Sequence, residues 1–537
     1  MKSLFPSLLL QVVFALVASI PSVASFAVVP ARQRRISRCS RGSSNVVLQA
    51  STVGASNSTA ATATEEEEDP YQVLRTGGDP TIDAPLPSAF TECPFTGILA
   101  GPESFYRQVA SKLQSPDIFS FLQKDQPMAE ISGGTTVKQV LDQEFTALSS
   151  NAVPGVSQIV CGTESLRTAR NVKEHKIIRR LVSHPLGASS VAASVPTLQD
   201  IGQTCLEETI ATSSTSISTL EMTQKMTLEV AWQQLLGFDF DTDAELERFR
   251  RKAATWLDGI YHKVGTPEMD ATLQAKEYLV GLVDKKINQL VEAGESDGST
   301  LGGLVFAKET DTGKTLTRQQ VIDNALFLML AGTETTSSSL CNIMLLMGLH
   351  PNVWQKVVEE QARAVETHGE TLTPALVMDD QGFPYLDAVI HEVMRVLPVT
   401  LISKRVTTST MVVDGVQIPP GWGVAYSIYL THQKALEEGS MDLQTGFKPE
   451  RWLDPATRPQ KPDYMPFGAG PRHCPGALLG MTEQRGFLSL MARAIPKFEL
   501  EMELDSTLQS PIDEQIEWNK LSAVSTPMDG TRIRILQ

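Results

Sequence analysis

From about Pro85 onward, apolar residues recur mostly at helical spacing, and no internal repeat or second low-complexity segment interrupts them. The stretch Thr317 to Leu349 predicts one long helix, about 50 Å at 1.5 Å per residue, stopped by Pro351. Leu386 to Val396 predicts a second helix, ended by Pro398, and Ala477 to Ala494 a third, ended by Pro496. The clearest strand pair is Met411 to Val413 and Val416 to Ile418, joined by Asp414-Gly415 as a hairpin turn and closed by Pro419-Pro420-Gly421. The expected class is mainly α with a small β part.

The long helix has two oddities at its middle. After Ala325-Leu-Phe-Leu-Met-Leu330 comes Ala331-Gly332-Thr333-Glu334-Thr335-Thr336. A carboxylate among apolar neighbours is costly unless paired or used. A glycine inside a helix costs about 1 kcal/mol against alanine. Both point to function; the bland alternative is a buried Glu334 satisfied by the neighbouring hydroxyls.

Composition narrows the classes. The chain has 537 residues, 42% hydrophobic and 20% charged, enough for a large core and too apolar for disorder. Length alone would suggest roughly three or four domains. The cysteines, Cys39, Cys93, Cys161, Cys205, Cys341 and Cys474, form no CxxC pair, which excludes a disulfide scaffold and the usual zinc patterns. A formal charge of −16 argues against a nucleic-acid partner.

All 62 acidic residues lie after Thr64. Residues 1–25 read as a secretory signal: Lys2, an apolar stretch from Leu4 to Ile20, then small residues to Ser25. Residues 26–64 are rich in Arg, Ser and Thr, the composition of a transit peptide or a tether. The combination, with the Ala24-Ser25-Phe26 junction, resembles the bipartite plastid presequence of algae with secondary plastids. The alternative is an anchor in the endoplasmic reticulum membrane, for which Leu4 to Val29 is long enough if its prolines are tolerated. Residues 65–84 read as an acidic spacer, and residues 85–537 as the globular part.

The most informative decapeptide is Phe467-Gly-Ala-Gly470-Pro-Arg472-His-Cys474-Pro-Gly476. Cys474 lies just before the third predicted helix, where the helix amino terminus favours a thiolate. The decapeptide resembles F-x-x-G-x-R-x-C-x-G, the haem-binding loop of the cytochrome P450 family, and five fixed letters match by chance at about one position in several million. The resemblance implies haem b with Cys474 on iron, Phe467 shielding the sulfur, Gly470 and Gly476 letting the backbone approach the porphyrin, and Arg472 on a propionate. It also implies that Glu334 and Thr335 relay protons towards dioxygen, and that Ala331 and Gly332 leave room for it.

Other motifs follow the family's order. Glu392-Val-Met-Arg395 and Phe447-Lys-Pro-Glu-Arg451-Trp452, with Trp where the family has Phe, resemble its structural lock. By that resemblance Glu392, Arg395 and Arg451 form a buried network holding the cysteine loop; the alternative is a surface pair worth about 1 kcal/mol or less. His175 and Arg179, one helical turn apart, resemble propionate contacts, as does Arg405. Lys173, Lys176, Arg179 and Arg180 also read as a basic patch for an acidic electron donor, or as a solvated helix face. Together these motifs replace the multi-domain prior with one large triangular domain.

The stretch from Pro398 to Trp452 is similar to a branch holding retinoic-acid hydroxylases, related cyanobacterial enzymes and sterol or steroid hydroxylases. The resemblance implies a haem-thiolate monooxygenase. Dioxygen, and electrons ultimately from NAD(P)H through a separate ferredoxin or flavoprotein reductase, would serve a lipophilic isoprenoid: carotenoid, retinoid or sterol. Phe327, Leu328, Val399, Leu401, Ile402 and the turn at Met528 are the expected substrate contacts, all equally readable as core. The alternatives are an isomerase or dehydratase of lipid hydroperoxides, disfavoured by the retained Glu334-Thr335 pair, and a haem sensor. Membrane association stays open.

Overall fold

A computed structural model describes residues 78–536, apart from 91–101, 115, 124–125, 150–155, 170, 213–215, 437–439, 505–511 and 520–524. The presequence expectation falls outside the described residues, as does most of the acidic spacer.

The longer helices are α1 (Pro102–Leu113), α2 (Gly134–Leu141), α3 (Val172–Ser183), α4 (Ala188–Thr212), α5 (Thr219–Val230), α6 (Asp243–Leu257), α7 (Pro267–Ala293), α8 (Arg318–Leu349), α9 (Pro351–His368), α10 (Pro384–Val396) and α11 (Ala477–Ala494). The three helices expected from periodicity are α8, α10 and α11, displaced by two residues at most. Local chemistry sets their ends. Thr317 and Gln320 close a capping box on α8: the Thr317 hydroxyl accepts from the Gln320 N–H at 3.1 Å, and the Gln320 side chain accepts from the Thr317 N–H at 3.0 Å. Asn171 caps α3 by accepting from the Glu174 N–H at 2.8 Å.

The strands are β1 (Ser88–Ala89), β2 (Ile118–Gln123), β3 (Gln126–Ile131), β4 (Leu148–Ser149), β5 (Ser216–Ser218), β6 (Ile402–Thr407), β7 (Met411–Val413), β8 (Val416–Ile418), β9 (Gly423–Ser427), β10 (Phe498–Leu500) and β11 (Arg532–Ile535). Six of them form a sheet in the order β1-β2-β3-β9-β6-β4, three pair as β10-β11-β5, and β7-β8 is the expected hairpin. Asp414 and Gly415 both take positive φ, 48° and 73°, as a type I′ turn requires. In β6, Arg405 pairs with Val424 of β9, which places it inside the sheet rather than at its edge.

Helix α8 threads two apolar clusters. Its first half, Val321 to Leu330, packs with Phe249, Trp256 and Leu279, and its second half, Leu340 to Met347, with Met226, Val389, Phe487 and Trp518. The accessible residues Ala331, Gly332, Glu334 and Thr335 lie between the two.

The lock is buried, not superficial: the side chains of Glu392, Arg395 and Arg451 are 0%, 1% and 9% exposed. One Glu392 oxygen accepts from Arg395 Nη2 at 2.8 Å, the Lys448 N–H at 2.9 Å and Arg451 Nε at 3.0 Å. The other accepts from Arg395 Nε at 2.9 Å and Trp452 Nε1 at 2.8 Å. The unusual Trp452 therefore adds a donor to the carboxylate. Its ring stacks on His391 at 5.0 Å and meets Tyr464 at 4.6 Å. Replacing Trp452 with Phe keeps a ring there and removes the donor. The denaturation midpoint of W452F should fall by an amount equivalent to about 1.5–3 kcal/mol, the usual contribution of a hydrogen bond to a charged group; an unchanged midpoint would show that the indole N–H contributes nothing.

Candidate active site

The gap in the middle of α8 is built from small and polar residues. A Cβ added to Gly332 would have only Leu235 Cδ1 within 4 Å, at 3.6 Å, so the helix surface there is open. Thr335 is exposed, and its hydroxyl donates to the Ala331 carbonyl at 2.7 Å. Glu334 finds its partner off the helix: Tyr261, in the 3-10 turn Asp258–Tyr261 after α6, donates to Glu334 Oε2 at 3.4 Å. Burial, reinforced by the nearby Asp258, pushes the Glu334 carboxyl up to about 7. The neighbouring hydroxyls are otherwise engaged. Thr333 donates to the Met329 carbonyl at 2.8 Å, and Thr336 bonds Glu483 of α11. The structure therefore answers the bland alternative: those hydroxyls do not satisfy Glu334.

Helix α11 comes close beneath this region. A Cβ on Gly480 would lie 3.9 Å from Thr336 Oγ1, and Ser339 of α8 donates to Gln484 at 2.6 Å. The loop before α11 is wound so that the Cys474 N–H donates to the Phe467 carbonyl at 3.0 Å. Gly476 is the N-cap of α11, and its backbone N–H bonds the Cys474 sulfur. Arg179 of α3 also favours the thiolate, but burial outweighs both and pushes the thiol up. The helix start alone thus does not hold a thiolate here; a bound metal cation would. Gly470 has a reason beyond porphyrin clearance: its φ is +68°, and a Cβ there would sit 3.1 Å from Leu141 Cβ of α2.

The residues assigned to the propionates converge. His175 is buried, and its ring lies 4.9 Å from that of Phe145. Burial, then Arg472 and Arg179, lower its pKa to about 4, so it is neutral at pH 7. Arg405 and Arg472 share one carboxylate, Glu144, at 2.6 and 2.7 Å through their Nε atoms. The donor set fits a haem: one soft sulfur ligand for iron, and Arg179, Arg405 and Arg472 as cations for its two carboxylates.

Other expectations shift. Met528 is 58% exposed, because its N–H is bonded to the Glu517 carbonyl in an outer turn. Ser525, Thr526 and Pro527 of that segment are buried instead, and Ser525 donates to the Val399 carbonyl at 3.3 Å and accepts from Asn342 of α8 at 2.8 Å. Leu328 and Leu401 are buried in separate core clusters, Leu401 with Phe90, Tyr106 and Tyr429. Phe327, Val399 and Ile402 remain partly accessible. The basic patch shrinks, since Arg180 pairs with Glu309 and Asp311 while Arg179 turns toward Cys474; Lys173 and Lys176 stay exposed.

Sequence reading missed Glu144, Tyr261, His432 and Glu483, because each acts through a partner distant in the chain. His432 accepts from the Met465 N–H at 3.0 Å and bonds the Arg395 carbonyl at 3.1 Å, tying the lock to the cysteine loop.

A half-buried loop cysteine at a helix start, with an acid–alcohol pair on a neighbouring helix and a ring of arginines, defines a haem-thiolate oxygenase. The comparisons agree. Residues 94–523 match the family model for cytochrome P450, and the chain belongs to that family of haem-dependent monooxygenases. It is 26% identical over 439 residues to cytochrome P450 26B1 of Xenopus tropicalis, covering 79% of this chain and 83% of that one. It is 28% identical over 330 residues to cyclooctat-9-en-7-ol 5-monooxygenase of Streptomyces melanosporofaciens, covering 59% and 69%. The fold is similar to a retinoic-acid-bound cyanobacterial CYP120A1, with a TM-score of 0.67 and 22% identity over 84% of this chain and 99% of that one. A second solved structure, the haem domain of cytochrome P450DA, gives a TM-score of 0.69 at 20% identity over 84% and 98%.

Glu483 supplies a test of the α8–α11 contact. Burial pushes its carboxyl up to about 8, against 4.5 when exposed. Folding then takes up a proton between those values, so wild-type stability falls as pH rises through that window. Glu483→Gln removes the titration. Its stability relative to wild type should rise between about pH 4.5 and 8, read from denaturant midpoints; a constant difference would show that Glu483 titrates normally.

Proposed function

We propose that this chain inserts one oxygen atom from O2 into a lipophilic isoprenoid, a carotenoid, retinoid or sterol. The observation that carries the monooxygenase reading is the intact Glu334–Thr335 pair, open at the mid-helix gap and linked outward through Tyr261. An isomerase or dehydratase of lipid hydroperoxides needs no external protons and would have no use for the pair.

Haem b, held through Cys474, supplies electron transfer and dioxygen activation. The chain's own residues do the rest. Arg179, Arg405 and Arg472 bind the haem carboxylates, with neutral His175 as an added donor. Ala331 and Gly332 keep the distal surface clear. Thr335 presents a hydroxyl to the reacting oxygen. Glu334, poised near pH 7, carries a proton inward from the Tyr261 side. The partly accessible Phe327, Val399 and Ile402 form an apolar wall for the substrate.

The isoprenoid class is supported by two relatives: one structure holds retinoic acid, and one relative is a 5-monooxygenase of cyclooctat-9-en-7-ol. Within that class, the presequence favours carotenoids, the plastid's abundant isoprenoids, and a ferredoxin as the donor of electrons drawn ultimately from NAD(P)H. An endoplasmic reticulum location would pair instead with a flavoprotein reductase. Among the described residues, no helix is long and apolar enough to cross a membrane.

The deciding experiment is a spectral titration of the haem-loaded protein, begun near Glu65, with a carotenoid, a retinoid and a sterol in turn. A low-spin to high-spin Soret shift with one class would identify the substrate class. A thiolate-haem spectrum with no shift by any of them would overturn the isoprenoid reading and favour fatty acids or their hydroperoxides. Two variants test the relay. Thr335→Ala should keep consuming NADPH but release more hydrogen peroxide per product. Wild-type product formation should fall as pH rises through about 7, where Glu334 loses its proton. In Glu334→Gln that inflection should vanish and the rate should drop by about a hundredfold or more. An inflection that persists in E334Q would remove Glu334 from the relay.

A further inference from the structure

Glu144 is a buried acid at the edge of the site that neither the loop motif nor the proton relay uses. It follows α2 and its side chain is 1% exposed. Its two oxygens are divided between two arginines from distant segments: Oε2 to Arg405 Nε of β6 at 2.6 Å, and Oε1 to Arg472 Nε of the cysteine loop at 2.7 Å. Each arginine is held by the same edge. Arg405 directs Nη1 to the Lys404 carbonyl at 2.7 Å and the Ser403 hydroxyl at 3.1 Å, which leaves Nη2 without a partner among the described residues. Arg472 directs Nη2 to the Ala169 carbonyl at 2.8 Å and Nη1 to the Arg167 carbonyl at 3.4 Å.

The next residue strengthens the case. Phe145 takes a left-handed backbone, φ +71°, which is rare for an aromatic residue. That conformation sets its ring against the Arg472 guanidinium at 4.8 Å and the His175 ring at 4.9 Å. Strain of this kind persists only where the surroundings hold it, and it concentrates at functional sites. Glu144 and Phe145 together touch three of the four residues assigned to the haem carboxylates.

We propose that Glu144, supported by Phe145, is a positioning residue for the haem. It clamps the Nε edges of Arg405 and Arg472, so that Arg405 keeps Nη2 for a haem carboxylate and Arg472 keeps its charge beside it. Its charge also offsets one of the two cations and so helps set the reduction potential. The proposal rests on the haem-thiolate reading of Cys474. An arginine pair without this carboxylate would lose its orientation and gain net positive charge beside the haem. Extra positive charge favours the reduced iron, because reduction adds an electron.

The test uses the purified holoprotein with three readouts: reduction potential, rate of haem transfer to apomyoglobin, and thermal midpoint. Glu144→Gln keeps the shape and removes the charge. Its potential should shift positive and its haem should leave severalfold faster. Glu144→Asp keeps the charge and shortens the reach. Its potential should stay near the wild-type value while its haem loss still quickens. A potential and a haem-transfer rate unchanged in both variants would overturn the proposal, whatever the thermal midpoint does, since that pattern marks a purely structural residue. Slower haem loss in E144Q would equally overturn it, showing that the carboxylate competes with the propionates. Should E144Q fail to fold, the E144D haem-loss rate decides alone. Wild-type protein that takes up no thiolate-ligated haem would refute the underlying reading of Cys474 instead, and is distinguishable because it fails before any variant is compared.

Discussion

The buried carboxylate of Glu392 is the constraint on which the rest of the structure depends. It accepts five donors, from Arg395, Lys448, Arg451 and Trp452. A charge this far from solvent is tolerable only with such a complete set of partners, and removing one would leave the others unpaired in a low-dielectric interior. The network continues outward. Arg395 holds the Ser440 and Gly446 carbonyls, and the carbonyl of Arg395 itself meets His432, which takes the Met465 N–H at the root of the cysteine loop. The position of Cys474 is therefore set by hydrogen bonds that begin on α10, well away from the sulfur in sequence.

The second constraint is the division of α8 between two apolar clusters. A helix buried at both ends presents its middle at a fixed depth. Small and polar residues there give up packing and expose helix surface, which only a function makes worthwhile. The same helix carries Glu334, the proposed proton carrier, and the turn after α6 supplies its Tyr261 contact. The proposed proton delivery thus depends on the packing of α6 and α7 against α8, which no single motif encodes.

Charge is handled differently on the two sides of α8. At the mid-helix gap Glu334 has the Tyr261 hydroxyl as a partner, and burial raises its pKa to about 7. Near the cysteine loop four basic groups, Arg179, Arg405, Arg472 and His175, surround one acid, Glu144. There burial and repulsion keep His175 neutral. The arrangement suits the proposed chemistry: a carboxyl that can exchange its proton near pH 7, and a positive field that would hold the carboxylates of a bound haem.

Much of this was legible in the sequence alone, because the signals were local. All three helices are followed by prolines and α8 opens on a capping box, the hairpin carries Asp-Gly, and the cysteine loop is one contiguous decapeptide whose spacing is dictated by a backbone wrapped around a sulfur. The Glu392–Arg395 pair lies within one helical turn. What only the tertiary structure decided involves partners far apart in the chain. Glu144 meets Arg405 and Arg472 more than 250 residues away. Tyr261 meets Glu334 from another helix, and Trp452 turns a lone substitution in a motif into a fifth donor. The turn at Met528 is expected as a substrate contact, and in the fold Met528 faces outward while Ser525 bonds inward to Val399. A lone acid, tyrosine or methionine has no periodicity to announce its role, so its chemistry exists only once folding has chosen its neighbours.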